Sequence, residues 1–96
     1  MGIKGYRYNR FINVPRRWQE YIYAISKLYD DDVVYAEIID RAIVMTDPNY
    51  IRELRRIVVR GESTTKVGKD YAISDKTLQR RVRRYYENMY RILRRI

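Results

Sequence analysis

Between residues 66 and 83 the chain carries Lys66, Lys69, Ser74, Lys76, Thr77, Gln79, Arg80 and Arg83. A guanidinium is a planar fork that fits phosphate oxygens and the O6/N7 edge of guanine. A carboxamide fits the N6/N7 edge of adenine. Lysines at 66 and 69 suit phosphate oxygens, which fix register without reading sequence. Five of the nine residues from 76 to 84 are basic, with Asp75 as the neighbouring acid. These residue types together suit a polyanion. A second set, Arg7, Asn9 and Asn13, alternates with Tyr8, Arg10, Ile12 and Val14 near the N-terminus.

Other chemistry is excluded by composition. The 96 residues contain no cysteine and no histidine. Disulfides, thiol nucleophiles, zinc fingers and His-based acid–base catalysis are therefore absent. Asp30, Asp31, Asp32 and Asp40 are the one acidic cluster that resembles a metal-ligand set. Adjacent aspartates between helices serve equally as N-caps. The expectation is a protein that is not an enzyme and holds no metal and no cofactor.

Charge is distributed unevenly. The formal net charge is +9, from 21 basic and 12 acidic residues. Residues 1–47 hold seven of each sign, and residues 48–96 hold fourteen basic and five acidic side chains. Arginine outnumbers lysine sixteen to five. A neutral half joined to a basic half suggests one part that assembles and one that meets a polyanion. Neither half is long enough to hold a core easily alone, so a partner copy is expected on size grounds. No apolar run reaches membrane-spanning length, and MGIKGYRYNRF has no signal-peptide h-region. The expected location is cytoplasmic and nucleoid-associated, with no membrane partner.

The positioning elements follow from periodicity. Residues 6–14 alternate as a strand would, and Pro15 ends them. Trp18, Tyr21, Ile22, Ile25, Leu28 and Tyr29 form a helical stripe over Arg16–Tyr29. The three aspartates break it and cap a second helix over Val34–Met45, which turns Ile38, Ile39, Ala42 and Ile43 inward. Asp47-Pro48 restarts a helix that runs to Gly61. Ser63 or a following threonine caps a short helix over residues 65–72, and Ser74 or Asp75 caps a last one toward Ile96. Leu78, Val82, Tyr85, Met89, Ile92 and Ile96 fall on a heptad seam along that last helix. The seam packs within the chain, or its end makes an intermolecular contact.

Two resemblances follow from these residues. Gly68-Lys69-Asp70-Tyr71-Ala72-Ile73-Ser74-Asp75-Lys76-Thr77-Leu78 resembles the helix-turn-helix core of resolvase, transposase and homeodomain-like proteins. Gly68 allows two steeply crossed helices to touch, and Val67, Tyr71, Ile73, Leu78 and Val82 supply an apolar plug. Ala72 replaces the usual turn glycine, and Arg81 stands where a small or apolar residue is common. Residues 6–46 resemble the ribbon-helix-helix family, through Ile12-Asn13-Val14-Pro15 and Ala36-Glu37-Ile38-Ile39-Asp40-Arg41-Ala42-Ile43. That family pairs strands between two copies. The second resemblance therefore implies a homodimer through Ile12, Val14, Trp18, Ile22, Ile38, Ile39 and Ala42, with Arg7, Asn9, Phe11 and Asn13 facing the major groove, where Phe11 would touch thymine methyls or else fold inward.

The expected architecture is mainly α. A strand-helix-helix part, residues 1–47, dimerises and reads DNA if its ribbon does so. A three-helix helix-turn-helix part with a long last helix, residues 48–96, binds DNA. The expected partner is double-stranded DNA, bound as a homodimer or a higher-order assembly. The roles implied are transcriptional regulation or centromere-type partition of plasmid or viral DNA, where a segregation ATPase or the transcription machinery would be the further partner. Two alternatives are a non-specific nucleic-acid coat or scaffold and the DNA-binding part of a recombination system. The Tyr, Ile and Arg bias resembles small DNA-binding proteins of crenarchaeal viruses and plasmids.

Overall fold

A computed structural model describes residues 6–96. Its helices are α1 (Arg16–Ser26), α2 (Val33–Thr46), α3 (Ile51–Val58), α4 (Thr64–Tyr71) and α5 (Asp75–Leu93), with a 3-10 turn at Pro48–Tyr50 before α3. Each expected helix is present, with bounds shifted by one to three residues at most ends. The punctuation has the anticipated causes. Asp32 caps α2 through bonds from the Val34 and Tyr35 amides at 2.9 and 3.2 Å. Asp47 caps the 3-10 turn through the Asn49 amide at 2.9 Å, with Pro48 in the first position. Gly61, at φ 78°, follows α3 in a left-handed conformation that favours glycine. Ser63 caps α4 through the Lys66 amide at 3.0 Å. No described helix is long and apolar enough to cross a membrane.

The N-terminal expectation requires correction. Residues 6–14 form no strand; among the described residues there is none. A strand needs a partner for its backbone groups, and here a side chain supplies them. Gln19 is fully buried on the inner side of α1. Its Oε1 accepts from the Tyr6 hydroxyl and from the Asn9 amide at 3.1 Å. Its Nε2 donates to the Asn9 and Val14 carbonyls, both at 2.9 Å. The segment becomes an arm with a turn in it, and Ile12 and Val14 still reach the core. Without a strand, the ribbon-helix-helix arrangement loses its basis.

A single core draws on both halves of the chain. Ile12, Val14, Ile22, Ile25, Ile38, Ile39, Ala42 and Ile43 cluster with Leu54, Val58, Val59, Tyr85, Tyr86 and Met89. Fully burying one such aliphatic side chain stabilises the fold by about 1.5–3 kcal/mol. The proposed dimer residues Ile12, Val14, Ile22, Ile38, Ile39 and Ala42 are thus covered by their own chain, and Trp18 is half-buried against Tyr21 and Tyr90. The size-based need for a second copy falls away with them. Buried polar ties fix α5 to the first half: the Ser26 and Tyr85 hydroxyls meet at 2.7 Å, and Asn88 Nδ2 donates to Thr46 Oγ1 at 3.0 Å. Burial pushes the Tyr85 and Tyr86 hydroxyls well above the usual phenol range, which keeps both neutral. The heptad seam packs inward: Leu78, Tyr85 and Met89 are fully buried, Val82 and Ile92 partly so, and Ile96 is exposed.

The α4–α5 pair is a helical hairpin with a three-residue turn. A Cβ added to Gly68 would lie 2.5 Å from the Ile73 carbonyl oxygen and 3.7 Å from Leu78. The same glycine's carbonyl accepts the Ile73 amide at 2.8 Å. Ala72 sits at φ 56°, ψ 44°, which explains why glycine is usual there. Val67 and Leu78 are fully buried against each other's helix. Arg56 of α3 clamps the hairpin, reaching Glu62 through two bonds at 2.6 and 2.7 Å and Asp70 through one at 2.7 Å.

Two outcomes follow for stability. Gly68→Ala should lose about 2 kcal/mol to overpacking against rigid backbone, whereas Ala72→Gly should gain roughly 1 kcal/mol by relieving the left-handed alanine. Urea unfolding checks both; equal stability of Gly68→Ala and wild type would refute the close approach. Arg56, aided by Lys66, holds the Glu62 carboxyl down from 4.5 to about 2. A depressed carboxyl contributes stability that is complete above its ordinary value and lost as pH falls through the folded one. Melting temperature should therefore fall between pH 4.5 and about 2, and Glu62→Gln should flatten that slope.

Candidate nucleic-acid interface

On α5, residues 76, 79, 80, 83, 84, 87 and 91 fall on one face of a 3.6-residue helix. Lys76, Gln79, Arg80 and Arg84 are exposed, and Arg83 is partly covered. Among the described residues, Lys69, Lys76, Arg80, Arg83 and Arg84 have no carboxylate within ion-pair distance. Each keeps its charge available to a ligand. Arg81 is the exception on this stretch and points elsewhere. Its Nε donates to Asp47 at 2.9 Å and its guanidinium lies 5.5 Å over Tyr50. The departure from the helix-turn-helix pattern at this position is therefore a tie between α5 and the start of α3. The Asn49 amide, together with the same arginine, lowers the Asp47 carboxyl pKa.

The first turn of α5 is preorganised. Asp75 accepts from the Thr64 hydroxyl, from Thr65 at 3.3 Å and from Gln79 Nε2 at 2.7 Å. Gln79 is thus oriented while its amide oxygen and second amide hydrogen stay free. Ser74 occupies the N-cap position without a side-chain cap bond and is exposed. Thr77 is half-buried. On α4, Lys69 is exposed and free, and Lys66 is exposed but 3.5 Å from Glu62.

The N-terminal arm lies beside this face. Arg7, Tyr8, Asn9, Arg10 and Phe11 line a cleft of about 560 Å³ together with Gln79 and Arg83. Two sets of residues expected on separate modules thereby share one site. Arg7 and Arg10 are exposed, and Arg10 and Arg83 hold their guanidinium carbons 5.1 and 5.6 Å from the Phe11 ring. Phe11 itself is 66% exposed, so it does not fold inward. Asn9 is less free than expected: its Oδ1 accepts the Phe11 amide at 2.9 Å and shapes the turn. Asn13 is not part of this cleft. It lines a smaller one with Glu87, Tyr90, Arg91 and Arg94, three turns further along α5.

Arg10 and Arg84 are the site members that sequence reasoning missed. Arg84 was legible, four residues after Arg80 on the same face. Arg10 was not, because alternation assigned it to the inner face of a strand that does not form. Three aspartates of the acidic cluster have structural roles. Asp32 caps α2, Asp30 pairs with Arg60, and Asp40 binds Arg55 at 3.0 Å and the Tyr29 hydroxyl at 2.9 Å. Among the described residues no three metal-ligating side chains converge. No protein-family model, curated protein or solved structure matches this chain.

Proposed function

We propose that this chain binds double-stranded DNA through the α4–α5 hairpin, with the first turns of α5 in the major groove. The observation that carries this reading is the row of carboxylate-free cations, Lys76, Arg80, Arg83 and Arg84, on the exposed face of the second helix of a glycine-crossed hairpin. In that docking mode the N-terminal residues of the second helix approach base edges. Gln79 suits adenine, and Arg80 and Arg83 suit guanine. Lys69 on α4 and Arg84, one turn beyond Arg80 on α5, hold phosphates. The arm supplies Arg7 and Arg10 to the adjoining backbone, and Phe11 offers an apolar face to a thymine methyl. A regulator of transcription, or a binder of plasmid or viral partition sites, acts in this way.

A non-specific coat is the second reading, and the exposed Phe11 between two arginines favours it. An aromatic ring flanked by guanidinium groups is a stacking platform for single-stranded bases. Selection of a duplex from a random pool, followed by anisotropy titrations over a range of salt, separates the two readings. The proposed mode predicts a preferred duplex. Gln79→Ala and Arg83→Ala should each lose about 1–3 kcal/mol of discrimination at one base position. Lys69→Ala should weaken all duplexes alike and reduce the salt slope by about 1. Equal affinity for selected duplex, random duplex and single strand would defeat the proposal and leave the coat.

A further inference from the structure

The outer face of α2 is left largely uncovered by the described chain. Val33, Val34, Val44 and Met45 are 76, 65, 48 and 47% exposed, and Glu37 and Arg41 are exposed between them. Four apolar side chains on the solvent side of one helix are a large unpartnered surface for so small a protein. Their order decides what can cover it. Val34, Glu37, Arg41 and Val44 recur at spacings of three, four and three, which is a heptad seam. About the middle of the helix, apolar residues mirror apolar ones and the acid mirrors the base. Reading outward from Ile39, Glu37 matches Arg41 in distance along the helix, Val34 matches Val44, and Val33 matches Met45.

We infer that this face binds a second copy of the same chain, with the two α2 helices antiparallel about a two-fold axis at Ile39. In that register Val34 meets the second copy's Val44, Val33 meets its Met45, and Glu37 meets its Arg41, each pair occurring twice. This is the self-complementarity that an isologous interface requires. Charge selects the direction. A parallel pairing would stack Glu37 on Glu37 and Arg41 on Arg41, and like charges at a seam cost affinity. The antiparallel pairing converts both clashes into ion pairs. Charge around the seam agrees. Arg41, Arg91 and Arg95 line a hollow of about 350 Å³ with Met45, Ile92 and Ile96. Among the described residues none of the three arginines has a carboxylate partner within the chain. The second copy's Glu37 would bring negative charge to that hollow. The inference does not depend on DNA binding, since α2 carries none of the α5 face.

Sedimentation equilibrium of the full chain without DNA tests it. The wild type should show twice the 11.8 kDa chain mass. E37R and R41E, taken singly, place like charges across the seam and should raise the dimer Kd on the order of 100-fold. The double exchange E37R/R41E restores opposite charges across both pairs and should recover the dimer. Val34→Asp should yield a monomer with unchanged helical circular dichroism. A monomeric wild type, a dimer indifferent to the single changes, or a double exchange that stays monomeric would each overturn the inference. Retained DNA affinity in a monomeric variant would leave the DNA reading standing by itself.

Discussion

Helix α5 must be buried along one side and charged along the other, and both demands fall on the same nineteen residues. Leu78, Tyr85 and Met89 are fully enclosed, while Lys76, Arg80 and Arg84 stand in solvent. A row of arginines on a free helix would be a mobile polycation. Anchored by the Ser26–Tyr85 and Thr46–Asn88 bonds, it becomes a rigid surface whose guanidinium groups keep fixed spacings. Preorganisation of this kind lowers the ordering cost of binding. The long contact between α2 and α5 is thus the constraint from which the site takes its shape.

The hairpin sets where that helix begins. Gly68 lets α4 pass within van der Waals range of the Ile73 carbonyl, and Ala72 turns the chain through a left-handed residue. Arg56 then joins α3 to both ends of α4 through Glu62 and Asp70. Surface ion pairs are individually weak. Here one guanidinium serves two carboxylates that flank the same short helix, so it acts on geometry more than on total stability.

Local signals made much of this legible. Caps at Asp32, Asp47 and Ser63 depend on nearest neighbours, and the sequence shows them directly. The same holds for Gly68, since a close crossing needs a small residue within a fixed short window. Long-range partnerships were illegible. Alternation over residues 6–14 is equally consistent with a strand and with an arm whose Ile12 and Val14 point inward. What decides is the Gln19 carboxamide, whose bonds replace a sheet ladder. Arg81 was a puzzle for the same reason, because its partner Asp47 lies 34 residues away. The arm's place beside Gln79 and Arg83 follows from Gln19 as well, so no reading of spacing alone would have joined those residues.

On the proposed reading, the outward face of α5 and the adjoining arm meet duplex DNA as one surface. Backbone amide chemical shifts recorded while a short duplex is titrated into the full chain test this most directly. Shifts should concentrate on Lys69, on residues 74–84 and on residues 7–11, with α1 and α3 quiet. Shifts centred on α3 or the outer face of α2, or a spectrum indifferent to DNA, would contradict it.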